Sequence, residues 1–166
     1  MAEAWKEWEG QTVNGQFPLL QFIGGTNHSG VFLTERPAHE PRKAAIKLIP
    51  VEPRNVDLEL SRWARAANLQ HPNLIRIFES GRCQVAGREL LFILMEYAEE
   101  SLSQALSERP LAPDEVRAML PPILDALACL HRQGFVHGRL KPSNILATGD
   151  QLKLSSDGIS RLGEPR

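Results

Sequence analysis

Apolar residues in the first part of the chain are grouped in short runs typical of β-strands. Residues 17–23 form one run that breaks at Gly24 and Gly25, and a second run follows at residues 31–34. Two short apolar runs on either side of a glycine-containing turn predict a β-hairpin. Residues 44–49 predict a third strand, and Pro50 follows it directly.

The next segment changes to a helical spacing. Apolar residues recur at helical intervals at Val56, Leu60, Trp63 and Ala67, which predicts one amphipathic helix. Two further apolar runs, at residues 74–78 and 89–95, predict strands joined by a turn within residues 81–87.

The second half of the chain contains a longer helical pattern. Its apolar positions predict a core-facing helix that ends at Gly134, and they are Val116, Met119, Leu120, Ile123, Leu124 and Leu127. Two adjacent prolines at residues 121–122 are expected to distort this helix locally. Residues 145–159 predict two short strands around a turn at 148–150. Strands with one helix, followed by helices, predict two lobes.

Composition and charge exclude several classes of protein. The 166 residues are 42% hydrophobic and carry a formal net charge of −1, as in a globular protein without an electrostatic basis for binding nucleic acid. The longest apolar run, residues 90–95, is too short to span a membrane. Cys83 and Cys129 cannot form a disulfide framework. We expect a surface thiol at Cys83, a packed Cys129 and a cytoplasmic protein.

An ordered series of motifs runs through these elements. Residues 45–47 read AIK, 71–73 HPN, 95–97 MEY, 137–144 HGRLKPSN and 153–158 KLSSDG, all after the glycine turn. In this order and at these intervals, the series resembles the eukaryotic-type serine/threonine protein kinase family, as found in bacteria. The resemblance implies an α+β, two-lobe fold. It divides the chain into an N-terminal extension (1–16), a β-rich N-lobe with one helix and the hinge (17–98), and a truncated helical C-lobe (99–166).

In the N-lobe, the resemblance implies a binding site for ATP. Of the three glycines in the family's phosphate loop only Gly24 is kept, and Thr26 and Ser29 occupy the other two positions. An ordinary hairpin turn is the alternative interpretation of this loop. Lys47 occupies the position of the lysine that contacts phosphates and pairs with a helix glutamate. Counting back from the HPN motif reaches Arg62, so the nearby Glu59 is the candidate partner.

The resemblance also implies which residues hold the adenine base. Met95 occupies the gatekeeper position, and Glu96 to Ala98 form the hinge whose backbone would bond the base. Three apolar residues match the positions that sandwich the base, and they are Val31, Ala45 and Leu146. These residues could equally be ordinary core, and both roles are compatible because nucleotide pockets are mostly apolar.

The catalytic loop departs from the family pattern at its key position. The family's catalytic aspartate is replaced by Arg139, whereas Lys141 and Asn144 match the phosphate-contacting lysine and a magnesium ligand. A guanidinium has only hydrogen-bond donors and stays protonated, so it cannot accept a proton from a substrate hydroxyl. One hypothesis for Arg139 is a cation that offsets phosphate charge without metal; the alternative is an arginine that pairs with a neighbour or faces solvent.

A second departure affects the metal site. Ser156 occupies the position of the family's magnesium-binding aspartate, and Asp157 follows it. For Asp157 to take over, the segment would have to slip by one residue, which turns a side chain to the opposite face. Because Mg²⁺ prefers anionic oxygen, we do not expect Asn144 alone to hold it tightly.

These departures predict a catalytically impaired kinase, or pseudokinase, that binds nucleotide or an unidentified protein partner. One alternative is a divergent serine/threonine kinase with residual ATP-dependent phosphotransfer. The other is a non-functional, truncated kinase fragment that exposes a large apolar patch. The chain stops soon after Gly158, and we take this short length as further evidence against catalysis.

Overall fold

The computed structural model describes residues 2–164, without the side chains of residues 2–3, and the chain divides into two compact units. The first unit contains residues up to 64 together with residues 77–97, and the second contains residues 65–76 and those from 98 onward. The boundary at 97–98 lies within the predicted hinge.

The first unit is built on one antiparallel sheet of five strands. Its elements are α1 (Ala2–Lys6), β1 (Thr12–Val13), β2 (Phe17–Pro18), β3 (Gln21–Gly25), β4 (Gly30–Glu35), β5 (Lys43–Pro50), α2 (Val56–Ala66), β6 (Ile77–Val85) and β7 (Arg88–Glu96). The strand order is β3-β4-β5-β7-β6, while β1 and β2 form a separate two-stranded sheet. The last two residues of α2 belong to the second unit.

One face of the five-stranded sheet carries the apolar core of this unit. Phe32, Ile46 and Leu48 are fully buried there, and residues of α1, β1 and β2 pack against the same cluster. We call this the outer face. Since side chains alternate along a strand, Val31, Ala45 and Lys47 lie on the opposite face.

Two strand predictions were wrong in their boundaries. The apolar run at residues 17–23 is divided between β2 and β3, because Leu19 leaves the hairpin and exchanges backbone hydrogen bonds with Gly10 and Gln11, both of 2.8 Å. β6 starts later and ends later than predicted. Its turn to β7 consists of Ala86 and Gly87, with φ values of 53° and 79°, and two such residues match the twist of a tight hairpin.

Cys83 also differs from its prediction, since it lies inside the strand β6 and is buried on the outer face. Its neighbours Arg82 and Gln84 are exposed, as the alternation of a strand requires. Burial raises the pKa of the Cys83 thiol to about 11. Cys129 is buried as predicted.

The second unit combines helices with short strands. Its elements are β8 (Glu100–Ser101), α3 (Leu102–Glu108), α4 (Pro113–Arg132), β9 (Phe135–Val136), β10 (Ile145–Thr148), β11 (Gln151–Leu154) and β12 (Ser160–Arg161). β10 and β11 form the predicted hairpin, β8 pairs with β10, and β9 pairs with β12. In the part of the chain that the structure describes, no helix is long and apolar enough to cross a membrane.

The long helix α4 is present, but part of its predicted core face was wrong. Val116, Leu120 and Leu124 are 43%, 49% and 59% exposed. The residues that α4 buries lie on a neighbouring face, and they are Ile123, Ala126, Cys129 and Leu130. Small residues at 126 and 129 pack inward, whereas the sequence pattern favoured the larger side chains. The helix continues through its two prolines.

Candidate functional site

The glycine loop connects β3 to β4 through residues 26–29. The backbone N–H of Thr26 donates to the Ser29 carbonyl at 2.8 Å, and the N–H of His28 donates to Thr26 Oγ1 at 3.1 Å. The Thr26 and Ser29 hydroxyls are 3.5 Å apart. The backbone amides of Thr26 and His28 are therefore bonded within the loop itself, to Ser29 and Thr26, which the resemblance aligns with two of the family's glycines.

Gly24 leaves open space at the edge of this loop. It pairs with Val31 across the hairpin, just after a register shift in β3. No neighbouring atom lies within 4 Å of the position that a β-carbon on Gly24 would take. A ligand can therefore approach the backbone closely at this glycine.

Predicted base and phosphate residues of the first unit share one sheet face. Val31 pairs with Lys47 in the antiparallel register, and Ala45 pairs with Met95. Paired residues in an antiparallel sheet point to the same side, so the apolar residues and the lysine lie on the face opposite the outer core. Ala45 is buried, while Val31, Lys47 and Met95 are half-buried.

Glu59, the candidate partner of Lys47, lies in the first turn of α2. Its backbone N–H donates to the Asn55 carbonyl at 2.9 Å, and its side chain is half-buried. The ion pair between Lys47 and Glu59 stays a prediction.

The hinge residues continue the chain from β7. Glu96 is the last residue of β7 and pairs with Ala44, whereas Ala98 belongs to the second unit. Within that unit, the N–H of Glu99 donates to the Ala147 carbonyl at 3.0 Å. Leu146 lies on β10, half-buried and paired with Ser101. The roles of these residues in binding a base stay predictions.

In the second unit, the catalytic-loop segment is held by hydrogen bonds around His137. Its Nε2 lies 2.7 Å from the Ser155 carbonyl, and its Nδ1 accepts from the Arg139 N–H at 3.3 Å. These two bonds require the neutral ring with its proton on Nε2. Burial lowers the pKa of His137 and so favours that neutral form.

Asn144 completes this network with its side chain and its backbone. Its Nδ2 donates to the Arg139 carbonyl at 2.8 Å, and its own carbonyl accepts from the Ser155 N–H at 3.0 Å. Asn144 therefore connects the loop backbone at Arg139 with the backbone at Ser155, just after β11.

The Arg139 side chain is exposed and crosses over Gly158. Its Cδ and Cγ atoms lie 2.8 and 2.9 Å from the position that a β-carbon on Gly158 would take. Any larger residue at 158 would displace this arginine. Among residues 2–164, no hydrogen bond or ion pair to its guanidinium is found, so within these residues the side chain fits the alternative of an arginine that faces solvent and not that of one that pairs with a neighbour.

Ser156 is buried, with 3% of its surface exposed, and it points into the second unit. Its hydroxyl donates to the carbonyl of Ile75 at 2.5 Å. A neutral hydroxyl that is buried and bonded in this way does not fit a Mg²⁺ ligand. Asp157 is half-buried, and residues 2–164 contain no group of three or more acidic, histidine or cysteine side chains that could hold a metal ion.

Two contacts at these positions were not found from the sequence. Trp5 lies against the glycine loop and donates to the Thr26 carbonyl. In the sequence, Trp5 and Trp8 are three residues apart, a spacing typical of one helix face, but this spacing does not indicate a contact with the loop. The bond from Ser156 to Ile75 joins residues far apart in the chain, and no local pattern indicates it.

Comparison with known proteins places these features in a family. Residues 18–165 match the protein kinase domain family. The serine/threonine-protein kinase pkn2 of Myxococcus xanthus is 31% identical over 162 residues, which cover 92% of this chain and 19% of that protein. The serine/threonine-protein kinase PrkC of Bacillus subtilis is 31% identical over 158 residues, or 91% of this chain and 24% of PrkC.

A solved structure shows the same fold. The crystal structure of the Mycobacterium tuberculosis PknI kinase domain superposes with a TM-score of 0.73 at 25% sequence identity. The match covers 92% of this chain and 61% of that domain. The chain therefore spans less than two thirds of a solved kinase domain and about a fifth to a quarter of pkn2 and PrkC. On this evidence, the chain belongs to the protein kinase domain family and has a kinase-like fold.

Proposed function

We propose that this chain is a nucleotide-binding, kinase-like module in which phosphotransfer is impaired. The observation that carries the proposal is the state of Ser156, at the position of the family's metal-binding aspartate. Its hydroxyl is buried and donates to the Ile75 carbonyl. The side chain is thus engaged in packing the second unit.

The proton acceptor is missing as well. Arg139 stands at the position of the catalytic aspartate, and a guanidinium has no lone pair for a substrate proton. Loss of a general base alone removes a factor of roughly 10² to 10⁴ in rate. Because Arg139 and Ser156 replace two groups that act together, their effects are not additive.

Nucleotide binding is supported by the first unit. The open space at Gly24, the apolar residues Val31 and Ala45, and Lys47 are all retained around one hairpin and one sheet face. Apolar surface suits a base, and a lysine suits a phosphate. ATP is the ligand that the family suggests.

Arg139 supports binding that does not depend on metal. It is exposed, and within residues 2–164 its guanidinium makes no hydrogen bond or ion pair. A fixed cation can replace part of the charge that Mg²⁺ supplies to a phosphate. Lys141, two residues further on, is exposed and adds a second positive charge.

A phosphotransfer assay tests the impairment. The unaltered chain is incubated with γ-labelled ATP, Mg²⁺ and a generic acceptor protein, beside Lys47→Ala and Asn144→Ala as controls. We expect no transfer above the level of the two variants. Transfer that is lost in both variants would contradict the proposal and favour the alternative of a divergent, active kinase.

The expected protein partner and cytoplasmic setting stay predictions.

A further inference from the structure

The N-terminal helix α1 places a tryptophan against the glycine loop. The indole Nε1–H of Trp5 donates to the Thr26 carbonyl at 3.0 Å. Only 7% of the Trp5 surface is exposed, so this hydrogen bond lies at the edge of the apolar cluster on the outer face. The segment before β1 thus reaches the loop that the family uses for phosphates.

Gly30 provides the space that Trp5 fills. A β-carbon on Gly30 would lie 2.6 to 2.8 Å from three atoms of the indole ring. Gly30 does not have a positive φ, so its backbone conformation does not require glycine. It also falls outside the three glycine positions of the family's loop. The close approach of Trp5 therefore explains a glycine that the phosphate-binding pattern does not.

Two further residues of the segment before β1, Trp8 and Glu9, support the position of Trp5 on the hairpin of β3 and β4. Trp8 packs edge-on against Trp5, with ring centroids 5.0 Å apart. Glu9 Oε1 accepts from the Phe22 N–H at 3.2 Å. Together these residues contact β3 at Phe22, the loop at Thr26 and the start of β4 at Gly30.

Trp5 lies on the outer face, away from Val31 and Lys47. It belongs to the cluster that contains Phe32 and Leu48, and side chains on adjacent positions of a strand point to opposite faces. Trp5 is therefore placed to act on the loop backbone without touching a nucleotide.

We propose that Trp5 is a positioning residue: by holding the Thr26 carbonyl and packing on Gly30, it orders the glycine loop and so strengthens binding of nucleotide phosphates. This inference rests on the proposed nucleotide binding. A loop that is ordered before the ligand arrives loses less entropy on binding. The effect concerns phosphates, because the loop backbone is the part of the family's site that contacts them.

Hydrogen exchange in nucleotide-free protein tests the ordering directly. Trp5→Ala removes the ring and the bond, and Trp5→Phe keeps most of the ring but removes the donor. We expect exchange at residues 26–30 to rise roughly tenfold in Trp5→Ala and less in Trp5→Phe, as loss of one hydrogen bond and its packing implies. Phe17→Ala is the matched control, because Phe17 is also 7% exposed in the same cluster.

Ligand affinity provides the second measurement. The affinity for ATP should fall roughly fivefold to tenfold in Trp5→Ala, as loss of one hydrogen bond implies, while the affinity for adenosine, which has no phosphates, stays unchanged. A purely structural role would lower both affinities together. Melting temperatures of all variants show whether the first unit stays folded, and Trp5→Phe keeps the test valid if Trp5→Ala does not fold.

A double-mutant cycle uses Gly30 to separate this contact from general destabilisation. Gly30→Ala forces the indole to move, so it should raise loop exchange in the unaltered background. It should have little further effect in the Trp5→Ala background.

Unchanged loop exchange in Trp5→Ala, an equal rise in Phe17→Ala, or full additivity of Trp5→Ala and Gly30→Ala would overturn the inference. If exchange rises as expected but the unaltered chain does not bind ATP, the proposed function fails, and the ordering of the loop by Trp5 is supported.

Discussion

The sheet face of the first unit and the catalytic-loop segment of the second differ in what each keeps of the family's chemistry. On the sheet face, Val31, Ala45 and Lys47 are the residue types that the resemblance implies for nucleotide binding, and Val31 pairs with Lys47 in the antiparallel register. In the catalytic-loop segment, the side chains of His137 and Asn144 bond to backbone carbonyls, while Arg139 and Ser156 stand where the resemblance implies acids.

The side-chain bonds that hold the catalytic-loop segment do not depend on an acidic residue. His137 bonds to the Ser155 carbonyl and Asn144 to the Arg139 carbonyl, and neither bond involves a carboxylate. The segment can therefore keep its conformation after both acids are lost. In the proposed function, nucleotide binding and phosphotransfer rest on separate side chains, which substitutions can test one at a time.

The largest expected effect is at Ser156. In Ser156→Asp, a carboxylate would be buried against the Ile75 carbonyl, which is itself an acceptor. An uncompensated buried charge costs about 3–5 kcal/mol, so we expect a large fall in the free energy of unfolding, measured by urea denaturation. Ser156→Ala is the control, with an expected loss of about 0.5–1.5 kcal/mol for one hydrogen bond. An equal free energy of unfolding for Ser156→Asp and the unaltered chain would show that residue 156 can turn outward, where a carboxylate could bind a metal ion.

A smaller effect is expected at Lys47. Lys47→Ala should weaken ATP binding roughly 10- to 100-fold, because hydrogen bonds to charged groups contribute about 1.5–3 kcal/mol. The affinity for adenosine should stay the same, since the lysine is expected to contact phosphates. Calorimetric titration of both ligands measures this. Unchanged ATP affinity would show that Lys47 does not contact the phosphates, which would contradict a phosphate site in the first unit.

His137 should make stability depend on pH. Its pKa is lowered in the folded state, whereas the unfolded chain titrates near 6.5. The unfolded state then binds more protons, so stability is complete above about pH 6.5 and falls as the pH drops below that value, by at most about 1.4 kcal/mol per pH unit. The free energy of unfolding, measured by urea denaturation between pH 5 and 8, should change less with pH in His137→Gln than in the unaltered chain. If the free energy of unfolding depends on pH equally in that variant, groups other than His137 cause the dependence.

The smallest effect is expected at Arg139. Because this arginine is exposed, Arg139→Ala should weaken ATP binding in EDTA by roughly twofold to fivefold, the range of an exposed charge contact. The loss should shrink at high salt. Tighter binding after Arg139→Ala would show that the arginine obstructs the nucleotide.

Local patterns predicted most of the fold. The strands of the five-stranded sheet, the amphipathic helix α2, the long helix α4 and the hairpin of β10 and β11 follow from apolar spacing and turn residues, with the boundary errors described above. The two-residue strands β1, β8, β9 and β12 were not predicted. The prediction failed where tertiary packing decides. The face that α4 buries is set by Ala126 and Cys129, small residues that fit a close contact, and the sequence pattern does not show which face has a neighbour.

The candidate site, too, could be predicted only in part from the sequence. The replacement of acids at Arg139 and Ser156 can be seen in the sequence, because the motifs on either side fix the alignment. The direction of the Ser156 hydroxyl and the contact of Trp5 with Gly30 could not be predicted. Both depend on residues that are distant in the chain.

Titration of the unaltered chain with ATP, in Mg²⁺ and in EDTA at equal ionic strength, shows whether the chain binds nucleotide and whether binding needs the metal. We expect binding in both buffers with about the same Kd, because Lys47 supplies a positive charge for the phosphates and the Ser156 hydroxyl is buried and bonded to the Ile75 carbonyl. Binding that requires Mg²⁺, or no binding in either buffer, would contradict it.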